Sequence, residues 1–234
     1  MTVHLLHLKN VSILDQLRLE EALLRTDRRN FFLINEGTPL SIVMGISGHV
    51  DELVDRRKAA ALSVPIIKRF SGGGTVVVDE ETLFTTFIGQ KDILHPHPCY
   101  PEPILRWSGE FYGAALGLPK FALRENDFVL GEKKCGGNAQ YIQKERWLLH
   151  TSFLWDFCPA KMGLLLHPKK TPQYRQGRAH ADFVCSLKEF FPDKAALISQ
   201  IKKEIMGRFD AVEISLEEVM PTLARDHRRA TLQI

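Results

Sequence analysis

Ile66-Ile67-Lys68-Arg69-Phe70-Ser71-Gly72-Gly73-Gly74-Thr75-Val76-Val77-Val78 is the stretch whose reading decides the fold. An apolar, β-branched run enters three successive glycines and leaves through another β-branched run. This is the pattern of two strands joined by a loop whose backbone must come close to something. Three glycines in a row cost backbone entropy and contribute no packing, so the position needs them for geometry. Their bare N–H groups can approach a phosphate or a carboxylate, and Arg69 adds a fixed charge with bidentate donors. A flexible hairpin linker is the competing reading of the same residues.

Working outward, residues 3–8 alternate as an opening strand. Ser12 suits an N-cap, and Ile13, Leu14, Leu17, Ala22 and Leu24 mark the buried stripe of a helix ending near Thr26. Residues 31–34 and 41–44 read as short strands, residues 51–62 as a polar-faced helix, and residues 64–68 as the strand that enters the glycines. Residues 75–78 and 83–88 are expected to form a hairpin. The proline-rich residues 95–103 read as a loop and residues 104–116 as a helix. Further strands are expected at residues 121–123, 127–130 and 147–157. Residues 169–180 read as a polar, irregular loop, and helices at residues 194–209 and from Ser215 onward, where Ser215-Leu216-Glu217-Glu218 has capping-box spacing. Strands in the middle and helices at both ends predict one α+β domain over residues 1–234, with a mixed or antiparallel sheet flanked by helices.

The chain has 234 residues, 44% hydrophobic and 25% charged, which is enough for a substantial core without disulfides or a structural metal. Thirty-one Lys+Arg against 28 Asp+Glu give a formal charge of +3, too small an excess to imply nucleic acid. The basic pairs Arg56-Arg57, Lys169-Lys170, Lys202-Lys203 and Arg228-Arg229 are scattered, as on solvated faces. No run of residues has the length and apolarity of a membrane span, and the first residues lack the features of a secretion signal. The four cysteines, Cys99, Cys135, Cys158 and Cys185, contain no Cys-x-x-Cys pair. Free thiols in a cytoplasmic protein are the expectation.

Four further signals carry chemistry. Lys133-Lys134-Cys135-Gly136-Gly137-Asn138-Ala139 leads a lysine pair into a Gly-Gly-Asn turn, where Lys134 in a cleft could hold a phosphate and a carboxylate together; a solvated hairpin is the alternative. Asn126-Asp127 precedes a strand, the position of a cap or Asx turn. His150 lies within an apolar strand, where a satisfied core histidine is the usual outcome. Cys135 is a nucleophile only if a base lies nearby, and none is close in sequence.

Taken in order, these segments resemble the lipoate-protein ligase family, within the biotin/lipoate ligase and octanoyltransferase fold, which is class II synthetase-like. Asp15-Gln16-Leu17-Arg18-Leu19-Glu20-Glu21-Ala22 resembles the family's opening helix, and Arg69-Phe70-Ser71-Gly72-Gly73-Gly74-Thr75-Val76 its arginine-serine-triple-glycine signature. Asn126-Asp127, the Lys134-Cys135-Gly136-Gly137-Asn138-Ala139 segment and His150 match its later motifs. The resemblance implies that ATP converts the carboxylate of lipoate or octanoate to an acyl-adenylate, which a lysine of a lipoyl domain then attacks. The implied acceptors are lipoyl domains of 2-oxoacid dehydrogenase complexes or the glycine-cleavage H protein, with a separate accessory protein as a further partner.

The roles implied are these. Lys134 bridges the acyl carbonyl and the α-phosphate, and Arg69, Ser71, Gly72, Gly73 and Gly74 wall the acyl and phosphate groups. Thr75, Val76 and Val78 flank the adenine. Asn126 and Asp127 hold the phosphate region, Asp127 through Mg2+. Asn138 and Ala139 close the lysine turn, and His150 lines the acyl pocket. The chain departs from the pattern at Val77-Val78-Asp79, which lacks the family histidine, and at Glu80-Glu81-Thr82, where Thr82 replaces an adenine-contacting asparagine. Two other readings remain open: an acyltransferase working through a thioester, and a non-catalytic module that binds an acyl-adenylate.

Overall fold

A computed structural model describes residues 1–168 and 171–234. In chain order the strands are β1 (Thr2–Lys9), β2 (Phe31–Glu36), β3 (Ser41–Met44), β4 (Ile66–Lys68), β5 (Thr75–Val78), β6 (Thr82–Gln90), β7 (Phe121–Arg124), β8 (Asp127–Leu130), β9 (Lys133–Ile142), β10 (Arg146–Leu154), β11 (Asp210–Ile214) and β12 (Leu232–Gln233). The helices are α1 (Ile13–Thr26), α2 (Val50–Leu53), α3 (Arg56–Ala61), α4 (Pro101–Leu116), α5 (Pro159–Met162), α6 (His180–Phe183) and α7 (Lys194–Arg208). A large mixed sheet runs in the order β11-β1-β2-β6-β10-β9-β8-β7, and a small one in the order β12-β4-β3-β5.

Strand alternation sorts the core into layers. Val3, Leu5, Phe32, Ile34, Phe87, Leu149 and Phe153 face α4 and α7, whose Phe111, Tyr112, Leu197 and Ile201 complete that layer. Leu6, Leu8, Phe31, Leu33, Ile88 and Leu148 face Leu19, Leu23 and Leu24 of α1 on the other side. The small sheet then covers α1 through Val43, Ile67 and Val78, packed against Ile13 and Leu17. Helix α1 is therefore clamped between two sheets, and Ser12 caps it by accepting from Asp15 N.

The α+β class expected from the sequence is the one observed, with local differences. The hairpin of residues 75–78 and 83–88 does not form. Strand β5 pairs with β3, whereas β6 pairs with β2 and β10. Strand β6 is buried over almost its whole length, so it needs a neighbour on each edge and a cover on each face. The helix of residues 51–62 divides into α2 and α3, because Val54 is extended and bridges Leu165, and Asp55 caps the second piece by accepting from Lys58 N. Helix α4 starts at Pro101, where proline is tolerated in a first turn. From Ser215 onward no α-helix forms. Glu218 Oε1 accepts from Ser215 N at 2.8 Å as a capping box requires, but Pro221 then removes a helical donor and only a 3-10 turn, Met220–Ala224, follows. Lys169-Lys170 lies outside the described residues.

Candidate active site

The glycine loop is built from its own side chains upward. Arg69 N continues the β4–β3 pairing by donating to Met44 O at 2.9 Å. Phe70 is fully buried and meets Tyr141 edge to face, 5.4 Å between ring centroids. Gly73 has φ +107, and a Cβ there would come within 2.6 Å of Arg69 Nη2. A Cβ at Gly45 would lie 2.2 Å from Gly73 O, so two glycines are needed for one close approach. Gly72 and Gly74 face open space.

Arg69 does not present its charge to that space. Its Nη2 donates to Gly72 O at 2.8 Å and Gly74 O at 2.9 Å, and its Nε to Gly72 O at 3.2 Å. The guanidinium is a buried clamp that shapes the loop, and its Nε and Nη2 donors are spent on loop carbonyls. Burial pushes it down to about 10, opposed by the negative charge of Glu20. Ser71 Oγ and Thr75 Oγ1 are buried without a hydrogen-bond partner. Val78 packs in the core between α1 and the small sheet and Val76 packs against the same cluster. The Val78 side chain is therefore committed to the core, while that of Val76 is half-buried.

The lysine segment is strand β9, not a turn. It pairs with β10 and β8, with a register shift between Phe128 and Val129. Its glycines serve close packing. A Cβ at Gly136 would lie 2.9 Å from Phe153 Cδ1, and one at Gly137 would lie 3.0 Å from Lys134 Nζ. The Lys134 ammonium is 2.7 Å from Asp127 Oδ1, and Tyr174 Oη donates to Asp127 Oδ2 at 2.8 Å. Burial, followed by the Asp127 charge, pushes the Tyr174 phenol well above its ordinary value. Asn138 accepts from Thr151 Oγ1 at 2.7 Å and donates to Asn126 O at 3.0 Å, tying β10 to the β7–β8 turn. The Asn126 side chain itself is exposed.

Loop and strand meet directly. A Cβ at Gly73 would be 3.3 Å from Asn138 O and 3.7 Å from the Ala139 Cβ. Ala139 pairs with His150, and two residues along the same face Gly137 pairs with Ser152. The floor of the site is thus β9 and β10, the glycine loop covers it, and Lys134, Asp127 and Tyr174 form one wall. His150 is buried in the floor, its Nδ1 3.0 Å from each oxygen of Glu20 and 3.1 Å from Thr86 Oγ1.

Asp127, expected to hold Mg2+, already serves two protein partners in this structure. Both of its oxygens are taken, by Lys134 and Tyr174, and no group of three His, Cys, Asp or Glu able to hold a metal occurs among the described residues. Cys135 is fully buried and burial raises its thiol strongly. Glu20 and Tyr174 were not singled out from the sequence. For Glu20 a signal existed, since Gln16 and Glu20 fall on the apolar stripe of α1. No helix among the described residues is long and apolar enough to cross a membrane.

The architecture has the catalytic fold of the lipoate ligases. A solved lipoate-protein ligase A bound with ATP superposes with a TM-score of 0.77, covering 96% of this chain and 93% of that chain at 19% identity. Residues 12–210 match the model of the lipoyl protein ligase A/B catalytic domain, and the chain belongs to that family. Among curated relatives, a probable lipoate-protein ligase A of Mycoplasma genitalium is 30% identical over 222 residues, 91% of this chain and 64% of that protein. An inactive lipoate-protein ligase 2 of Plasmodium falciparum is 28% identical over 181 residues, 63% of this chain and 47% of that protein. The chain thus spans between about half and two thirds of the length of these relatives.

Proposed function

We propose that the chain carries the catalytic site of a lipoate-protein ligase, which activates lipoate or octanoate with ATP and transfers the acyl group to a lysine of a lipoyl domain. A carboxylate oxygen of the acid attacks the α-phosphorus, and the bond to pyrophosphate breaks. The acceptor amine then attacks the acyl carbon, a C–N bond forms, AMP leaves with the C–O electron pair, and the nitrogen releases its surplus proton. Negative charge gathers beside one carbonyl and one phosphate in both steps. A fixed ammonium and bare backbone N–H groups stabilise such charge where water is excluded.

The observation that carries this reading is Lys134. Its ammonium is held by Asp127 over the bare backbone of Gly137, on the strand that the glycine loop covers. We assign Lys134 to the carbonyl and α-phosphate, and the unpartnered Ser71 and Thr75 hydroxyls to ligand contact. We assign the acceptor to a lipoyl domain of a 2-oxoacid dehydrogenase complex or the glycine-cleavage H protein. The test is incubation with lipoate, Mg-ATP and an apo lipoyl domain. Pyrophosphate release with an acyl mass increase on the acceptor supports the reading. Transfer from an octanoyl carrier protein that thiol alkylation blocks, with no ATP-dependent product, overturns it.

Against a thioester route stand the buried Cys135 and the raised thiols of Cys135 and Cys99. One observation favours an acyl-adenylate-binding module. Thr82 is turned into the Asp79 bend, its Oγ1 accepting from Asp79 N at 3.1 Å, so its hydroxyl is already engaged. Lys161 closes over the same bend, 2.6 Å from Asp79 and 2.9 Å from Glu80. Binding of lipoyl-adenylate without turnover would support that reading.

A further inference from the structure

Glu20 is a completely buried carboxylate whose strongest partners are polar side chains rather than a lysine or an arginine. It accepts from Gln16 Nε2 at 2.7 Å and from Thr86 Oγ1 at 2.7 Å, and both its oxygens lie 3.0 Å from His150 Nδ1. Gln16 is held in turn by Asn35, whose Nδ2 donates to its Oε1 at 2.8 Å. An isolated buried carboxylate costs several kcal/mol, so the fold keeps this one for a reason.

The hydrogen-bond directions leave one arrangement. A carboxylate offers only lone pairs, and the Thr86 hydroxyl has given its proton to Glu20. Both groups facing His150 Nδ1 are therefore acceptors, so Nδ1 carries a proton. In the neutral ring Nε2 is then unprotonated. That nitrogen makes no hydrogen bond among the described residues and is not sealed from solvent. His150 pairs with Ala139, on which Gly73 of the loop sits.

We propose that Glu20 is a positioning residue: it fixes His150 with the proton on Nδ1 and an acceptor Nε2 toward the cleft. The effect on turnover rests on the ligase reading, but the tautomer does not.

The test is nitrogen-15 spectroscopy of the histidine rings in the full chain, with the imidazoles neutral and His150 assigned by its loss in His150→Gln. The wild-type ring is expected as the Nδ1–H tautomer, and Glu20→Gln is expected to move it toward Nε2–H. A wild-type His150 ring protonated on Nε2 overturns the proposal, even if Glu20→Gln does not fold. So does a tautomer unchanged in folded Glu20→Gln. If lipoylation is detected, Glu20→Gln should lower kcat/KM for the acid by at least about tenfold, the scale of losing a carboxylate that orients a histidine. Glu20→Asp should recover part of both effects. An inactive chain with the expected tautomer overturns the ligase reading and leaves the assignment of Glu20 standing.

Discussion

Lys134 Nζ lies 2.7 Å from Asp127 Oδ1, and the other oxygen of the same carboxylate is held by the Tyr174 hydroxyl at 2.8 Å. The ammonium is thus oriented before any substrate arrives, by a strand on one side and by the segment after residue 170 on the other. Under the proposed chemistry this preorganisation is where transition-state stabilisation originates. Lys134→Ala should raise the barrier of the chemical step by at least about 3 kcal/mol, read in single-turnover experiments. An unchanged rate constant excludes the assigned role. Asp127→Asn keeps an acceptor for Tyr174 but removes the charge, and should lower stability by about 1 to 3 kcal/mol in denaturant titration.

The glycine loop separates two kinds of glycine that the sequence writes identically. Gly73→Ala places a Cβ at φ +107 and 2.6 Å from the Arg69 guanidinium, so it should destabilise by at least about 1 kcal/mol. At Gly74 a Cβ meets nothing within 4 Å. Gly74→Ala should leave the denaturation midpoint within about 0.5 kcal/mol of wild type, yet weaken binding of acyl-adenylate. Equal stability losses in the two variants would contradict the geometry.

That pair also shows what could be read from residues alone. A run of three glycines beside Arg69 announces a constrained loop, but not that Arg69 turns inward to hold it. The β9 strand was obscured because Gly136, Gly137 and Asn138 are poor strand formers, kept there by the ring of Phe153 and the Lys134 side chain above them. Tyr174 was unreadable for a different reason: its partner Asp127 is 47 positions away, and nothing local marks the contact. Glu20 was readable in principle, as a charge on the buried stripe of α1, since burial of a carboxylate demands partners.

Acid should weaken the fold through Asp27 in particular. Burial alone would raise this carboxyl, but the side-chain and backbone hydrogen bonds from Arg29 outweigh it and hold it below its ordinary value of 3.8. A depressed carboxyl contributes stability above the unfolded value, and the contribution fades as pH falls through the lower folded value. Wild type should therefore exceed Asp27→Asn in urea midpoint at about pH 6, and the gap should narrow as pH approaches about 3. A gap independent of pH would show that the carboxylate charge contributes nothing.

Glu21, beside Glu20 but on a different side of α1, ties down the far end of the described chain. Its carboxylate accepts from Ala230 N at 3.0 and 3.1 Å and from Thr231 N at 3.0 Å, while Arg25 holds it from within the helix. The next residues form β12, pairing Leu232 with Lys68 and Gln233 with Ile67, and Ile234 N donates to Ile66 O at 2.9 Å. The strap thus braces β4, the strand that delivers Arg69 to the glycine loop. Glu21→Ala leaves two amides without their acceptor and should cost about 1 to 3 kcal/mol. Because β12 is a short edge strand, the loss should appear first as local opening, with faster amide exchange at Ala230, Thr231 and Ile234 while α4 and α7 keep their protection. Uniformly faster exchange across the whole chain would mean that Glu21 supports global stability rather than the strap.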